Sequence, residues 1–437
     1  MGRSFPPWLE ALPETRFEPR IVYHRRFLVW WGLLLFLCKL GRLRQLDAEL
    51  RDEQTEVLAN VNALAETEQT TLPVSGTLSH FLVPLGPAPL VGLRTRMIRT
   101  LIRGKVLDAY RLQGAFVIAV DGTGHVSFSR RHCEQCLTQT HGERIYYYHQ
   151  VLEAKLVTWS GLALSVASEF VDNRHWSEST ATSAEARKQD CELKAFTRLA
   201  PQLPKQYPQT PLCIAGDGLT ACGPVLQICQ ENHWHFVLTF KQGRLPAVWE
   251  EFQALLAADP EPRHVVSPQD GLTLEYRWIN GISYEDDQHR PHTFNALQCG
   301  VRQGDAGKLF AWITDWRITP QNVDLIAQQG GRNRWTIENA GFNTQKNGGY
   351  ELEHVYGQDE DLLQSFYLLL QIAHLIAQLV KQGSLLRRVA RQYGQSLIGL
   401  YGSVRNLARR LLECLRFYRL PAEAFQKTHL QIRLDSS

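Results

Sequence analysis

Two aspartates at the ends of apolar segments are the residues of this sequence best placed to do chemistry. Residues 116–120 form an apolar, β-branched run that predicts a buried strand, and Asp121 and Gly122 follow it. Residues 211–216 repeat the design and end in Asp217. A carboxylate where a central strand leaves a sheet is costly unless it is paired, and a metal ion is a common partner. The two aspartates together indicate a metal-dependent site, whereas each one alone also fits a strand followed by an Asp-Gly turn.

Glu338 is the candidate for a third carboxylate. In a helix, Arg334 and Glu338 would share one face because they are four residues apart. A surface ion pair is the simpler interpretation of that spacing, but Trp335 and Phe342 nearby favour a packed helix. A glutamate held there would complete a metal site, with Arg334 and Lys346 positioned for phosphate groups.

Three converging carboxylates suit the cleavage of a phosphodiester bond. That reaction needs an activated water, a stabilised leaving oxygen and neutralised charge on the phosphate, and two Mg²⁺ ions roughly 4 Å apart supply all three. Mg²⁺ takes oxygen ligands and keeps several waters, so acids are favoured over histidine or cysteine. The three acids therefore predict a site for Mg²⁺ or Mn²⁺.

A second group of potential metal ligands has zinc-knuckle spacing and consists of Cys133, Cys136 and His141. The expected fourth position of the knuckle is occupied by Tyr146, and His132 or His149 could supply the missing ligand. Thiolate and imidazole groups suit Zn²⁺. The alternative interpretation is a pair of buried cysteines in the loop of a β-hairpin.

The composition is that of an ordinary globular protein with one basic block. The chain has 437 residues, enough for two or three domains, and is 44% hydrophobic and 21% charged. Its net charge of +3 does not by itself indicate a polyanionic partner. Residues 381–419, however, hold nine basic residues against one acid. Such a block can bind phosphates, and a solvated helical face is the alternative interpretation.

The cysteines and the apolar segments favour a cytoplasmic protein. The nine cysteines are an odd number scattered through the chain, and no secretory signal precedes them, which fits free thiols in a reducing compartment. The apolar run 27–38 is too short to span a bilayer, which takes about 20 residues. We therefore interpret it as a buried helix and expect no membrane partner.

Hydropathy patterns along the chain predict five regions. Hairpin-like strands followed by alternating strands and helices favour an α/β fold with a mixed sheet flanked by helices. Residues 71–92 show little periodicity, and Gly330-Gly331 is expected to break a helix. The regions are a helical part for DNA binding or dimerisation (1–113), the first part of the α/β core (114–258), a β-rich insertion (259–318), the last core helices with Glu338 (319–380) and a basic helical part (381–437).

The acids and their surroundings resemble those of a known family. Asp121, Asp217 and a late helical glutamate within an Arg-x-x-x-Glu pattern resemble the DDE transposases of bacterial insertion sequences. More narrowly, roughly residues 114–380 are similar to the group whose third acid lies in a Tyr-x-x-Arg-x-x-x-Glu signature, with a later lysine, after a β-strand insertion. Gly331 stands at the tyrosine position, and Lys346 lies one residue beyond the expected lysine position.

The resemblance implies a ribonuclease-H-like fold, two divalent metal ions, and DNA strand cleavage and transfer. Asp121, Asp217 and Glu338 would be the catalytic, metal-binding triad. Arg334 would be the signature arginine, and Trp316 and Trp335 would be candidates for stacking on a flipped base. With Lys346 and with the basic block's Arg387, Arg388 and Arg391, these residues make up the predicted DNA contacts.

The expected partner is DNA, comprising the transposon ends and the target, bound by a homodimer or a larger assembly. Two other functions fit the same residues. One is a metal-dependent nuclease of the same fold, and the other is a transposase-derived DNA-binding protein without catalysis.

Overall fold

The computed structural model describes residues 5–52, 54–173, 190–261, 263–269, 271–304, 306–421 and 434. The chain divides into two compact units. The first consists of Met1–Ala109, His125–Ser127 and Gly341–Ser437, and the second of Tyr110–Gly124 and Phe128–Ala340. The residues after Ala340 thus group with the N-terminal helices, whereas the sequence analysis placed residues 319–380 together in the α/β core.

The N-terminal part of the first unit is helical, as predicted. Its helices are α1 (Phe5–Glu10), α2 (Arg25–Leu37), α3 (Leu43–Leu50), α4 (Val57–Ala65), α5 (Ser75–Leu85) and α6 (Ala88–Arg103). Helix α2 contains most of the apolar run and is buried along most of its length. Helix α5 lies in a stretch where no helix was predicted. Its buried residues Leu78, Phe81, Leu82 and Leu85 have the spacing of one helical face, which glycine and proline obscured in the sequence.

The second unit contains one sheet of eleven described strands. The strands are β1 (Arg111–Leu112), β2 (Ala115–Phe128), β3 (Leu137–His141), β4 (Arg144–Val157), β5 (Ala163–Val171), β6 (Leu212–Gly216), β7 (His235–Thr239), β8 (His264–Gln269), β9 (Leu272–Glu285), β10 (Pro291–Gln303) and β11 (Ala306–Thr314). The main path through the sheet is β3-β4-β2-β6-β7-β11-β10-β9-β8, with β5 paired to β4 and β1 to β2. Strands β2, β6 and β7 are parallel and form the middle of the sheet.

The predicted β-rich segment extends this sheet. Strands β8 to β11 are antiparallel to their neighbours, and β11 pairs with β7 through Trp312 and Thr239. The described helices of this unit are α7 (Glu192–Leu199), α8 (Gln202–Gln206), α9 (Gly223–Glu231), α10 (Pro246–Ala258) and α11 (Val323–Leu325). The fold is therefore α/β with a large mixed sheet and helices, which confirms the predicted fold class at this level.

Gly330 and Gly331 do not break the helix that follows α11, contrary to the prediction. The chain continues through π-helical turns at Ile326–Gly331 and Ile337–Asn343, with a 3-10 turn at Arg332–Trp335 between them. A Cβ atom at Gly331 would lie 2.3 Å from the Trp312 ring, and one at Gly330 would lie 2.8 Å from Val237. The glycines are thus places where the helical backbone lies against the sheet, and a tyrosine does not fit at position 331.

The C-terminal helices belong to the first unit. They are α12 (Thr344–Asn347), α13 (Glu360–Gln382), α14 (Ser384–Gln392), α15 (Leu397–Tyr401) and α16 (Val404–Phe417). Helix α13 packs on α2, α5 and α6. Among the described residues it is the one helix long and apolar enough to cross a membrane, but 78% of its apolar window is buried inside the protein. That degree of burial is typical of the core helix of a soluble protein.

Candidate active site

Asp121 and Asp217 lie side by side on neighbouring parallel strands. Val120 of β2 pairs with Gly216 of β6, so each aspartate is the next residue after a matched pair. Adjacent strands are about 4.8 Å apart. Strand β6 ends at Gly216 and frees the backbone there, and the Asp217 carboxylate accepts a hydrogen bond from the Leu219 amide at 2.9 Å. The parallel register therefore brings both predicted aspartates to one place.

Arg334 connects Asp121 to Glu338. Its Nη1 donates to Oδ2 of Asp121 at 3.0 Å, and its Nη2 donates to Oε1 of Glu338 at 2.9 Å. The Arg334 side chain is 8% exposed, against 18% for Asp121 and 40% for Glu338. The ion pair is thus largely buried rather than a surface pair, and the guanidinium fork holds two of the three predicted acids together.

The pKa of Asp121 reflects its burial and the other carboxylates near it. Burial is the main cause that raises the pKa of Asp121 to about 7, with the charges of Glu338 and Glu192 acting in the same direction and Arg334 lowering it. Among the described residues, the carboxylate oxygens of Asp121, Glu192 and Glu338 do not all lie within 4.8 Å of one another. Arg334 lies between two of them and supplies the positive charge that the cluster needs.

Glu192 is a fourth carboxylate at this place, and the sequence analysis missed it. Glu192 begins α7, and Gln150 of β4 donates to its Oε1 at 2.5 Å. Burial and the charge of Asp217 raise the pKa of Glu192, and its charge also acts on Asp121. A Cβ atom at Gly122 would lie 2.1 Å from Glu192 Oε1. Gly122 was the one sequence signal that another segment packs closely against the backbone after Asp121, but the sequence did not identify that segment.

The two predicted tryptophans lie in different places. Trp335 is 51% exposed and lies beside Arg334, whose guanidinium carbon is 5.5 Å from the ring centroid. Trp316 instead stacks on His235 with 4.5 Å between ring centroids. His235 begins β7 and is level with Cys213, which is four residues before Asp217. Trp316 therefore lies towards the opposite end of the strands from the acids, because β11 runs antiparallel to β7 and carries it there.

The predicted DNA contacts of the first unit have mixed surroundings. Lys346 is in α12, and its Nζ pairs with Glu353 at 2.7 Å. On α14, Arg388 and Arg391 are exposed and Arg387 is half-buried. Part of the basic block is neutralised by acids elsewhere in the chain, since Arg416 lies 3.2 Å from Glu49. The excess of basic residues in the sequence therefore overstates the charge of this surface.

The structure brings the two cysteines together with His149, which was one of the two candidates for the missing ligand, and not with the predicted His141. Cys133 and Cys136 lie next to His149, and His141 is elsewhere. Strand β3 runs from Leu137 to His141, so His141 is about 17 Å along an extended chain from Cys136, at 3.4 Å per residue. Strand β4 returns antiparallel, with Tyr148 opposite Leu137, which carries His149 back to the cysteines.

Comparison with known proteins leaves the function to be argued from geometry. No family model matches the sequence, and a search of curated proteins found no match.

Proposed function

We propose that the protein is a DNA transposase of the DDE type, which cleaves and joins DNA strands at the ends of an insertion sequence. The observation that carries the proposal is the parallel register that sets Asp121 beside Asp217, with Glu338 joined to Asp121 through Arg334. Carboxylates that come from adjacent strands and from a helix can hold the metal ions that assist phosphoryl transfer.

The order of the strands supports the same proposal. Strands β5, β4, β2, β6 and β7 lie in that order, and β2, β6 and β7 are parallel. A ribonuclease-H-like sheet has this order, with its first acid on the central strand. The antiparallel strands β8 to β11 come after β7 and before the helix with Glu338, where the transposase group carries its insertion.

The donor set fits Mg²⁺ or Mn²⁺. Asp121, Asp217 and Glu338, with Glu192 beside them, offer only carboxylate oxygens, which are the ligands that Mg²⁺ prefers. Burial and mutual repulsion raise the pKa of Asp121, so a cation there would favour its ionised form. Bound metal ions would activate the attacking water or hydroxyl and neutralise the phosphate charge.

Basic and aromatic residues of both units would bind and orient the DNA strand. The guanidinium fork of Arg334 holds Asp121 and Glu338, and it would pair with a phosphate group once metal ions neutralise those acids. Trp335 is exposed next to it and offers a face on which an unpaired base can stack. Arg388 and Arg391 on α14 provide backbone contacts that do not depend on sequence. We propose further that the protein acts in the cytoplasm, as a homodimer or larger assembly on DNA.

The proposal is tested with purified protein and a supercoiled plasmid carrying the DNA that flanks the gene on both sides. With Mg²⁺ or Mn²⁺, we expect nicks at the outer ends of the element and joining of the freed 3′-hydroxyls to a second, labelled plasmid. Addition of EDTA should abolish both products. Cutting without joining would favour the metal-dependent nuclease instead, and binding without cutting would favour the non-catalytic DNA-binding protein.

Glu192 gives a separate prediction about the same reaction. Glu192→Gln keeps the hydrogen-bonding shape but removes a charge that acts on Asp121, so we expect cleavage to need more Mg²⁺, with activity about 10 to 100 times lower at limiting metal. Gly122→Ala should act in the same direction, since a Cβ atom there collides with Glu192. The Mg²⁺ concentration at half-maximal cleavage measures the effect.

The control for this prediction is Glu231→Gln, which removes an exposed carboxylate on α9 and should leave the Mg²⁺ dependence unchanged. If Glu192→Gln also left it unchanged, Glu192 would not contribute to the metal site.

A further inference from the structure

A second cluster of ligand atoms in the described residues lies at the start of the β3–β4 hairpin. The Cys133 and Cys136 sulfurs are 3.5 Å apart, and Nε2 of His149 is 3.3 Å from the first and 3.4 Å from the second. Cys136 and His149 are buried and Cys133 is half-buried. Two sulfurs and an imidazole nitrogen thus form a nearly equilateral triangle.

The triangle has the dimensions of one face of a tetrahedral zinc site. With Zn–S bonds of about 2.3 Å and Zn–N bonds of about 2.05 Å, tetrahedral angles place two sulfurs about 3.8 Å apart and sulfur and nitrogen about 3.6 Å apart. The measured separations are shorter by only a few tenths of an ångström. A disulfide bond would need the sulfurs at about 2.05 Å, so the pair is arranged as two thiols.

The backbone around the cluster brings the ligands together from two places, a turn and strand β4. Cys133 and Cys136 occupy a turn in which the Cys136 amide donates to the Cys133 carbonyl at 3.4 Å. His149 comes from β4, and the ring of Phe128 at the end of β2 lies edge-on to it at 6.4 Å. The Asn173 side chain, just after β5, donates to the Cys136 carbonyl at 3.2 Å. An ion held here would join the turn to β4.

We propose that Cys133, Cys136 and His149 bind one Zn²⁺ ion, with water as the fourth ligand. The ion fixes the β3–β4 hairpin at its base. His149 is followed in β4 by Gln150, which holds Glu192 at the carboxylate cluster. The proposal rests on the ligand geometry alone and stands whether or not the protein is a transposase.

The test is the metal content of the full-length protein purified without chelators or a metal-affinity tag. We expect about one zinc per chain. After removal of zinc, one equivalent of Co²⁺ should give a thiolate-to-cobalt charge-transfer band and the strong visible bands of a four-coordinate site. Absence of zinc from the wild-type protein, together with no charge-transfer band on adding Co²⁺, would overturn the proposal.

Matched variants identify the ligands. Cys133→Ser, Cys136→Ser and His149→Ala should each reduce zinc to well below one per chain, and the two serine variants should each weaken the charge-transfer band. His141→Ala tests the set suggested by spacing and should keep its zinc. Cys191→Ser and Cys414→Ser remove exposed cysteines outside the cluster and should also keep it. Loss of zinc in His141→Ala but not in His149→Ala would refute the assigned set.

Discussion

Asp121→Ala and Asp217→Ala should each abolish DNA cleavage and joining while DNA binding persists. Each substitution removes one of two neighbouring carboxylates, Asp121 within β2 and Asp217 just after β6, and with it a ligand for the ions that neutralise the phosphate charge. We expect a loss of at least about 10³-fold in the cleavage rate, which corresponds to about 4 kcal/mol of transition-state stabilisation. Single-turnover cleavage of a labelled plasmid measures it.

The matched control for these variants is Asp259→Asn, which changes a more exposed aspartate at the end of α10 and should cut normally. DNA affinity and its salt dependence should be unchanged in all three variants, because binding rests on basic residues that neutralise phosphates elsewhere. An Asp121→Ala protein that cuts at the wild-type rate would refute the proposed mechanism. Loss of binding together with cutting would instead indicate that the variant has misfolded.

The strands and the two aspartates were predictable because their signals are local. An apolar run that ends in Asp-Gly requires no knowledge of the rest of the chain, although β2 does not end there and continues through Asp121 to Phe128. The closeness of the two aspartates followed from interpreting both apolar runs as strands of one sheet. The pairing of Arg334 with Glu338 was equally local, since residues four apart share a helical face.

The parts that the sequence did not reveal depend on contacts between distant segments. Glu192 is 71 positions from Asp121, and only the folded sheet and α7 bring it there. The sequence offered His149 only as an alternative ligand, and it is His149 rather than His141 that meets the cysteines because the hairpin folds back, whereas knuckle spacing assumes a compact loop. Gly331 was interpreted as a helix break because the sequence does not show that it packs against Trp312. That tryptophan lies on a strand 19 positions earlier in the chain.

Arg334→Ala should destabilise the metal-free protein, and Mg²⁺ should restore much of the loss. The substitution leaves Asp121, which is 18% exposed, without the charge that offsets its burial. Breaking a buried pair costs about 3 to 5 kcal/mol, and we expect about 2 to 3 kcal/mol here because Glu338 is partly solvated. Urea unfolding with and without Mg²⁺ measures both effects.

Arg198→Ala is the matched control, because Arg198 also bridges two acids, Glu169 and Asp190, at 2.7 Å each. Its loss should destabilise the protein without rescue by Mg²⁺, since those acids lie outside the proposed metal site. Adding Asp121→Asn to Arg334→Ala should recover stability by removing the buried charge, and it should also remove the Mg²⁺ effect. Rescue of both single variants to the same extent would mean that Mg²⁺ stabilises the protein elsewhere. Rescue of Arg334→Ala alone would identify its two acids as the ones that the cation neutralises.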